Sequence, residues 1–436
     1  LNLFEITLRA NGFPIKEAKS RLKKIQQIPE SEYPDYVEKL RMDIVDYHLR
    51  ENSFYKGFLN ARKISHWEDV PVMTKADLQV PLKKRLSNGF NTKNSYVNKT
   101  SGSSGHPFVF AKDFFSHALS WAEFIDRYQW FDIHMEASLQ ARFYGIPLDF
   151  LGYQKERLKD RLSGRYRFPI FDLSEEKMEV FLQTFRRKKF KYINGYTSSI
   201  VLFAKFLKKK GIRLKDVCPT LQLCIVTSEM LFEKDKILLE NTLGVPIVNE
   251  YGASELGLIA FTNKQNEFIV NSETLFVEIL DDNNRPVPYE TPGRIVITSL
   301  YNKAHPLIRY DIGDTGVFAL ESTLKKPILK QLVGRTNDVA RLPNGKIVPG
   351  LTFYYVTKSV IEDDGNVKEF VVEQKSLHAF TIVYVATEKL TEKAEKEIER
   401  ALQKYVGQDL DLSFKRKRIL DRSNRGKLKQ FISLFR

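Results

Sequence analysis

Cysteine is nearly absent from this sequence. Its 436 residues hold two, Cys218 and Cys224. That excludes a disulfide-stapled scaffold and a zinc site built on thiolates. Both lie in or beside "CPTLQLCIV", which reads as a buried strand, so they are expected as small core residues of a protein from a reducing cytoplasm. Long apolar runs are also missing: none approaches the roughly 18 residues a membrane span needs. The opening stretch, "LNLFEITLRANGFPIKEAKSRLKK", lacks the basic-then-apolar order of a secretory signal. There are no internal repeats and no low-complexity tract. Acidic charge is in deficit, with 54 Asp and Glu against 69 Lys and Arg, a net +15.

What is present is the mix of a globular protein, 42% hydrophobic and 28% charged, and long enough for two or three domains. The basic excess concentrates between Ser413 and Arg436, with nine Lys or Arg against one Asp. Shorter basic runs lie at 155–167 and 208–215 and read as solvated helix faces. Such charge favours polyanionic partners: nucleic acid, anionic lipid or a phosphate-rich cofactor. The basic stretches lack the aromatic interleaving of single-strand binders, so no nucleic-acid partner is expected.

Apolar periodicity predicts helices through 1–70 and a helix starting at Thr74. Two short strands, "SYVNKT" and "PFVFAK", flank "TSGSSGHP", and Asp113 is placed to cap the helix that follows. Strand–helix units then alternate, with Gly211 and Gly244 closing helices, which predicts an α/β layer rich in parallel strands. From Glu267 to Ala319 strands follow strands. Beyond a break near 332–350, Asn344-Gly345 marks a hairpin and an αββαβ order follows.

The loop from Thr100 through Ser101, Gly102, Ser103 and Ser104 to Gly105 is rich in donors suited to phosphate oxygens. Its spacing fits neither a Walker nor a dinucleotide loop: the glycines are three apart, His106 stands where a lysine is needed, and a strand follows. An exposed hairpin turn accounts for this loop equally well. "NEYGASELG" (249–257) ends a predicted strand and offers an aromatic face in Tyr251, a hydroxyl in Ser254 and a carboxylate in Glu255. "IRYDIGDTG" (308–316) sets Asp314 in a predicted turn, suited to two neighbouring ribose hydroxyls. "DRSNRGKLKQF" (421–431) puts Lys427 after Gly426, where backbone can approach an anion. Taken singly, each of the three also reads as a polar turn or a solvated tail.

In order along the chain, "TSGSSGHP", "YGASE", "YDIGD", "GRTNDV" and "RGK" resemble the motifs of the adenylate-forming superfamily, the acyl-CoA synthetases and their relatives. Residues 52–78 resemble phenylacetate–CoA ligases. Residues 157–181 resemble their CapK-like branch, a group linked to capsular polysaccharide synthesis. The resemblance implies a multi-domain α/β protein. Residues 1–335, with a helical opening segment at 1–70, would form a large N-terminal α/β domain with mixed sheets plus a β portion. Residues 336–436 would form a small mobile α+β domain, hinged at Asn337 and Asp338. It implies ATP, Mg²⁺ and coenzyme A as cofactors and a carboxylic acid as substrate, in the cytoplasm; a homodimer stays open.

By the same resemblance, Thr100 to Gly105 would close on the β- and γ-phosphates. Tyr251, with Gly252 and Ala253, would lie against adenine, flanked by Ser228 and Glu229. Ser254 would contact the α-phosphate and Glu255 would hold Mg²⁺. Asp314 and Arg335 would take the ribose. Lys427 would bridge the α-phosphate and the attacking carboxylate. Tyr144 and Tyr196 would line the acyl pocket, although they read equally well as core tyrosines. The acceptor could also be a carrier-protein thiol, an amine or a sugar hydroxyl.

Overall fold

A computed structural model describes residues 3–100, 109–145, 150–170, 173–229, 231–333, 339–343, 347–350, 353–354, 356–357, 360–361, 366–406, 410–418, 420 and 431–434. The chain forms two compact units. The first comprises 1–102, 106–134 and 250–334; the second comprises 103–105, 135–249 and 335–436.

The first unit opens with the expected helices, Leu3–Ala10, Ile15–Gln26, Tyr33–Glu51 and Ser53–Leu59. Ile15, Ala18, Leu22 and Ile25 form a buried stripe at helical spacing. Thr74 starts no helix. Its backbone N–H and hydroxyl both donate to Asp77, at 2.8 and 2.6 Å, and this local pairing closes a turn instead. The strands Ser95–Lys99 and Val109–Asp113 pair antiparallel, from Ser95 opposite Asp113 to Lys99 opposite Val109. The Gly/Ser loop therefore joins two paired strands, as its flanks predict. Asp113 caps the helix Phe114–Gln129 by accepting from the Ser116 N–H at 2.8 Å.

A four-stranded antiparallel sheet runs in the order Leu275–Leu280, Gly293–Ser299, Tyr310–Phe318, Leu329–Val333. A second antiparallel set pairs residues 250–253, the end of the strand Ile247–Ala253, with Gly257–Thr262, and that strand with Phe268–Val270. Leu256, Ile259, Ile295, Ile297, Ile308 and Tyr310 share one core.

The second unit holds parallel strands in the order Arg165–Pro169, Gln140–Tyr144, Tyr192–Tyr196, Leu223–Thr227. Helices Phe150–Leu162, Glu175–Arg187, Thr197–Lys209 and Glu233–Leu243 are interleaved with them. Its core is aromatic: the Phe168 and Phe185 rings stack 5.2 Å apart, and Phe143 and Phe203 pack against them. Cys218 and Cys224 are buried there, as expected. The basic run 155–167 is not simply a solvated face, because Arg167 is 6% exposed and ion-paired within the unit.

Residues 340–431 carry a core of their own. Helical residues at 353–354, 356–357 and 360–361 precede strands Val367–Gln374 and Ala379–Ala386, helix Glu392–Val406 and strand Asp411–Arg416. A final strand, Phe431–Ser433, pairs parallel with Val367–Gln374 and extends the expected order. Asn344 and Gly345 lie outside the described residues, but the strands around them, Val339–Arg341 and Ile347–Pro349, pair antiparallel as a hairpin requires. The protein is a multi-domain α/β protein with several sheets of mixed direction.

Candidate active site

In the first unit the structure brings together two motifs separated by some sixty residues of sequence. The strand Ile247–Ala253 carries Tyr251, Gly252 and Ala253, and the turn after it carries Ser254 and Glu255. Gly257 then turns the chain back with φ +92°, a conformation that favours glycine. The Tyr251 hydroxyl donates to the Asp314 carboxylate at 2.8 Å. Asp314 does not end the strand in a turn: it lies within the nine-residue strand Tyr310–Phe318, at an irregularity where Gly313 has φ +80° and the register skips from Asp311 to Thr315, with strand pairing resuming on both sides.

Tyr310, four residues earlier on that strand, donates to Glu255 at 3.2 Å. Glu255 is only 4% exposed, whereas Ser254 and Gly252 are exposed. The strand is anchored at its start by Arg309, buried against Glu278 at 3.3 Å and donating to the Val70 carbonyl at 2.6 Å.

The Lys112 ammonium is buried in the same unit. Burial pushes its pKa down to about 8, against the pull of Glu123, Glu255 and Asp113. Its hydrogen-bond partner is the Ser120 hydroxyl at 3.4 Å. Glu123, 1% exposed, is pushed up to about 8 by burial, and it accepts from the Thr274 hydroxyl. A buried cation thus lies within electrostatic reach of the Glu255 carboxylate. Thr100, the first residue of the Gly/Ser loop, is 3% exposed at the end of its strand.

In the second unit, Tyr144 and Tyr196 end adjacent parallel strands. Their ring centroids are 4.8 Å apart, and the Tyr144 hydroxyl donates to Asn194 at 3.1 Å. Ligands bind at such strand ends in open parallel sheets. Ser228 follows the next strand with φ +68°, a strained position for a side-chain-bearing residue. Glu229 accepts from the Ser198 backbone N–H at 2.6 Å, at the start of helix Thr197–Lys209, and burial raises its pKa.

Ser101, Gly102, Ser103, Ser104, Gly105, His106, Arg335, Asn337, Asp338 and Lys427 lie outside the described residues. The residues that sequence reading missed are Tyr310, Lys112, Asn194 and Arg309. Tyr310 and Arg309 stand inside "IRYDIGD", and their adjacency to Asp314 was a usable signal. Nothing in the local sequence marks Lys112 as buried.

A divalent cation fits Glu255 chemically. Ionised carboxylate has acceptor capacity beyond the one bond from Tyr310, and Mg²⁺ is commonly held by one or two carboxylates together with phosphate oxygens. Among the described residues no group of three or more His, Cys, Asp or Glu gathers to cage a metal. A cation at Glu255 would therefore draw its remaining ligands from phosphate and water.

No protein-family model matches the sequence. Protein CapK of Staphylococcus aureus is 23% identical over 345 residues, covering 74% of this chain and 72% of that protein. The phenylacetate-coenzyme A ligase of Thermus thermophilus is 24% identical over 189 residues, 42% of this chain and 41% of that enzyme. Among solved structures, a 2-hydroxyisobutyryl-CoA ligase in complex with 2-HIB-AMP and CoA has the same fold. Its TM-score is 0.56 at 17% identity, over 94% of this chain and 91% of that one. The chain is thus similar in sequence to CapK and to a phenylacetate-coenzyme A ligase, and two of the motifs by which it resembles the adenylate-forming superfamily are joined by the Tyr251–Asp314 bond.

Proposed function

We propose that the protein is an AMP-forming acid–thiol ligase. In the first half-reaction a carboxylate oxygen of the acid attacks the α-phosphorus of ATP, and pyrophosphate leaves. In the second, the thiol of coenzyme A attacks the acyl carbonyl, and AMP leaves. Neither half needs a covalent bond to the protein, so the residues act by positioning and by stabilising charge.

The observation that carries this reading is the Tyr251–Asp314 bond at 2.8 Å. It sets an aromatic face beside a carboxylate that can accept from two ribose hydroxyls, which is what a nucleoside requires. Tyr251, Gly252 and Ala253 receive adenine, with Ser228 and Glu229 beside it. Asp314 and Arg335 hold the ribose, Ser254 the α-phosphate, and Thr100 through Gly105 the outer phosphates. Glu255 holds Mg²⁺, which neutralises phosphate charge. Lys427 meets the α-phosphate and the attacking carboxylate, and it rides on a small domain, 336–436, that turns about Asn337 and Asp338. Tyr144 and Tyr196 line the acyl pocket. The cytoplasm is the compartment.

The coenzyme A step is supported by the phenylacetate-coenzyme A ligase relative and by the neighbour solved with an acyl-adenylate and CoA. Pyrophosphate release from ATP, measured with a panel of aryl and fatty acids with and without coenzyme A, tests both halves. Acid-dependent release with conversion of coenzyme A to a thioester is expected. Acid-dependent release that forms no thioester would move the acceptor to a carrier-protein thiol, an amine or a sugar hydroxyl. No release with any acid would end the ligase reading.

A further inference from the structure

The parallel sheet of the second unit has two unlike faces. Ala141, Phe143, Phe168, Ile193, Cys224 and Val226 point into the aromatic core. Alternation puts their neighbours on the opposite face. There Gln140 stands opposite Arg165, and Arg142 lies between Arg167 on one side and Asn194 on the other. A parallel sheet is ordinarily apolar on both faces, so a row of two arginines and an asparagine needs an account.

Arg167 has one. It is ion-paired with Asp160 at 2.6 Å and Glu156 at 3.2 Å, two carboxylates one turn apart on helix Phe150–Leu162, and it donates to the Gly145 carbonyl at 2.6 Å. Arg142 has no carboxylate partner among the described residues. Its guanidinium lies 4.2 Å from the Tyr144 ring centroid, and one terminal nitrogen makes a long 3.4 Å bond to the neutral Gln140 side chain. Its Nε is buried and has no hydrogen-bond partner among the described residues. Facing Arg167, it is repelled rather than neutralised. The stacking on Tyr144 aims the cation toward the strand ends where Tyr144 and Tyr196 meet.

We propose that Arg142 receives a second carboxylate carried by the acid substrate, so that the protein activates one end of a dicarboxylic acid while Arg142 holds the other. This rests on the reading that Tyr144 and Tyr196 line the acyl pocket. A planar guanidinium with unmet N–H groups matches a carboxylate through paired hydrogen bonds. A hydrocarbon acid makes no such bonds and gains nothing from the guanidinium.

The test uses the full chain and acids matched in size: phenylacetate with 4-carboxyphenylacetate, and valerate with glutarate. Pyrophosphate release and calorimetric binding are measured in parallel. The wild type is expected to favour the carboxylated member of at least one pair by about 10- to 100-fold, the range of a charged hydrogen-bonded contact. Arg142→Gln should abolish that preference while leaving the monocarboxylic acids within about threefold, and Arg142→Lys should fall between, because a point charge lacks the fork. Unchanged thermal unfolding of both variants shows that the fold is intact. Equal binding of paired acids by the wild type, or an equal loss for both members in Arg142→Gln, overturns the proposal. If binding shows the preference but no acid releases pyrophosphate, Arg142 stands and the ligase reading falls.

Discussion

At the scale of single residues, the candidate site is held by hydrogen bonds that can be broken one at a time. Tyr251→Phe keeps the aromatic face and removes the bond to Asp314. A hydrogen bond to a charged group contributes about 1.5–3 kcal/mol, so KM for ATP should rise roughly 10- to 100-fold with KM for the acid little changed. An unchanged KM for ATP would mean that Asp314 does not rely on Tyr251. Lys427→Ala should slow adenylation by about 10²–10³, the size of losing one preorganised donor. Thioester formation from a preformed acyl-adenylate should suffer much less; equal loss in both would remove Lys427 from the first half-reaction alone. Tyr251, Glu255 and Asp314 were legible because their motifs are local runs of distinctive residue types. Lys112 was not, since the burial that pushes its ammonium to a pKa of about 8 is contributed by distant chain.

At the scale of elements, the strand–helix alternation from Tyr192 to Leu243 reads directly from the sequence, because apolar runs end at Gly211 and Gly244. The strand Arg165–Pro169 does not. In "RYRFP" the alternating residues are arginines, so period two looks like a basic surface run until Asp160 and Glu156 are seen to pair with Arg167. Likewise "DIGDTG" looks like a turn, but it is an irregularity inside a strand whose pairing resumes at Thr315. The parallel strands also set a steric demand at Gly195, where a Cβ would lie 2.4 Å from the Phe143 carbonyl oxygen and 2.5 Å from the Phe143 Cβ. Backbone cannot yield there without parting the two strands. Gly195→Ala should therefore destabilise the second unit by about 1–3 kcal/mol or more, read as a lower urea midpoint. A midpoint equal to wild type would show that the strands can part at no cost.

At the scale of the whole molecule, the basic composition favours phosphate-rich ligands but says nothing of how stability is divided. Three histidines of the first unit are buried and neutral. Burial pushes His48 down to about 4 and His117 to about 3, and it holds His305 well below its ordinary value, where Arg85 adds repulsion. All three therefore bind protons more readily in the unfolded chain. Their contribution is fully present above the unfolded pKa near 6.5 and is lost as pH falls toward the folded values. For His48 alone, two to three pH units correspond to roughly 3 kcal/mol. Trp67, Trp121 and Trp130 all lie in the same unit, so tryptophan fluorescence follows its unfolding. The urea midpoint by fluorescence should fall steadily between pH 6.5 and 4. His48→Gln, which can keep a donor to the Asn302 carbonyl that His48 meets at 2.9 Å, should flatten part of that slope. A midpoint independent of pH across the window, or an identical slope in His48→Gln, would show that these histidines do not govern acid stability.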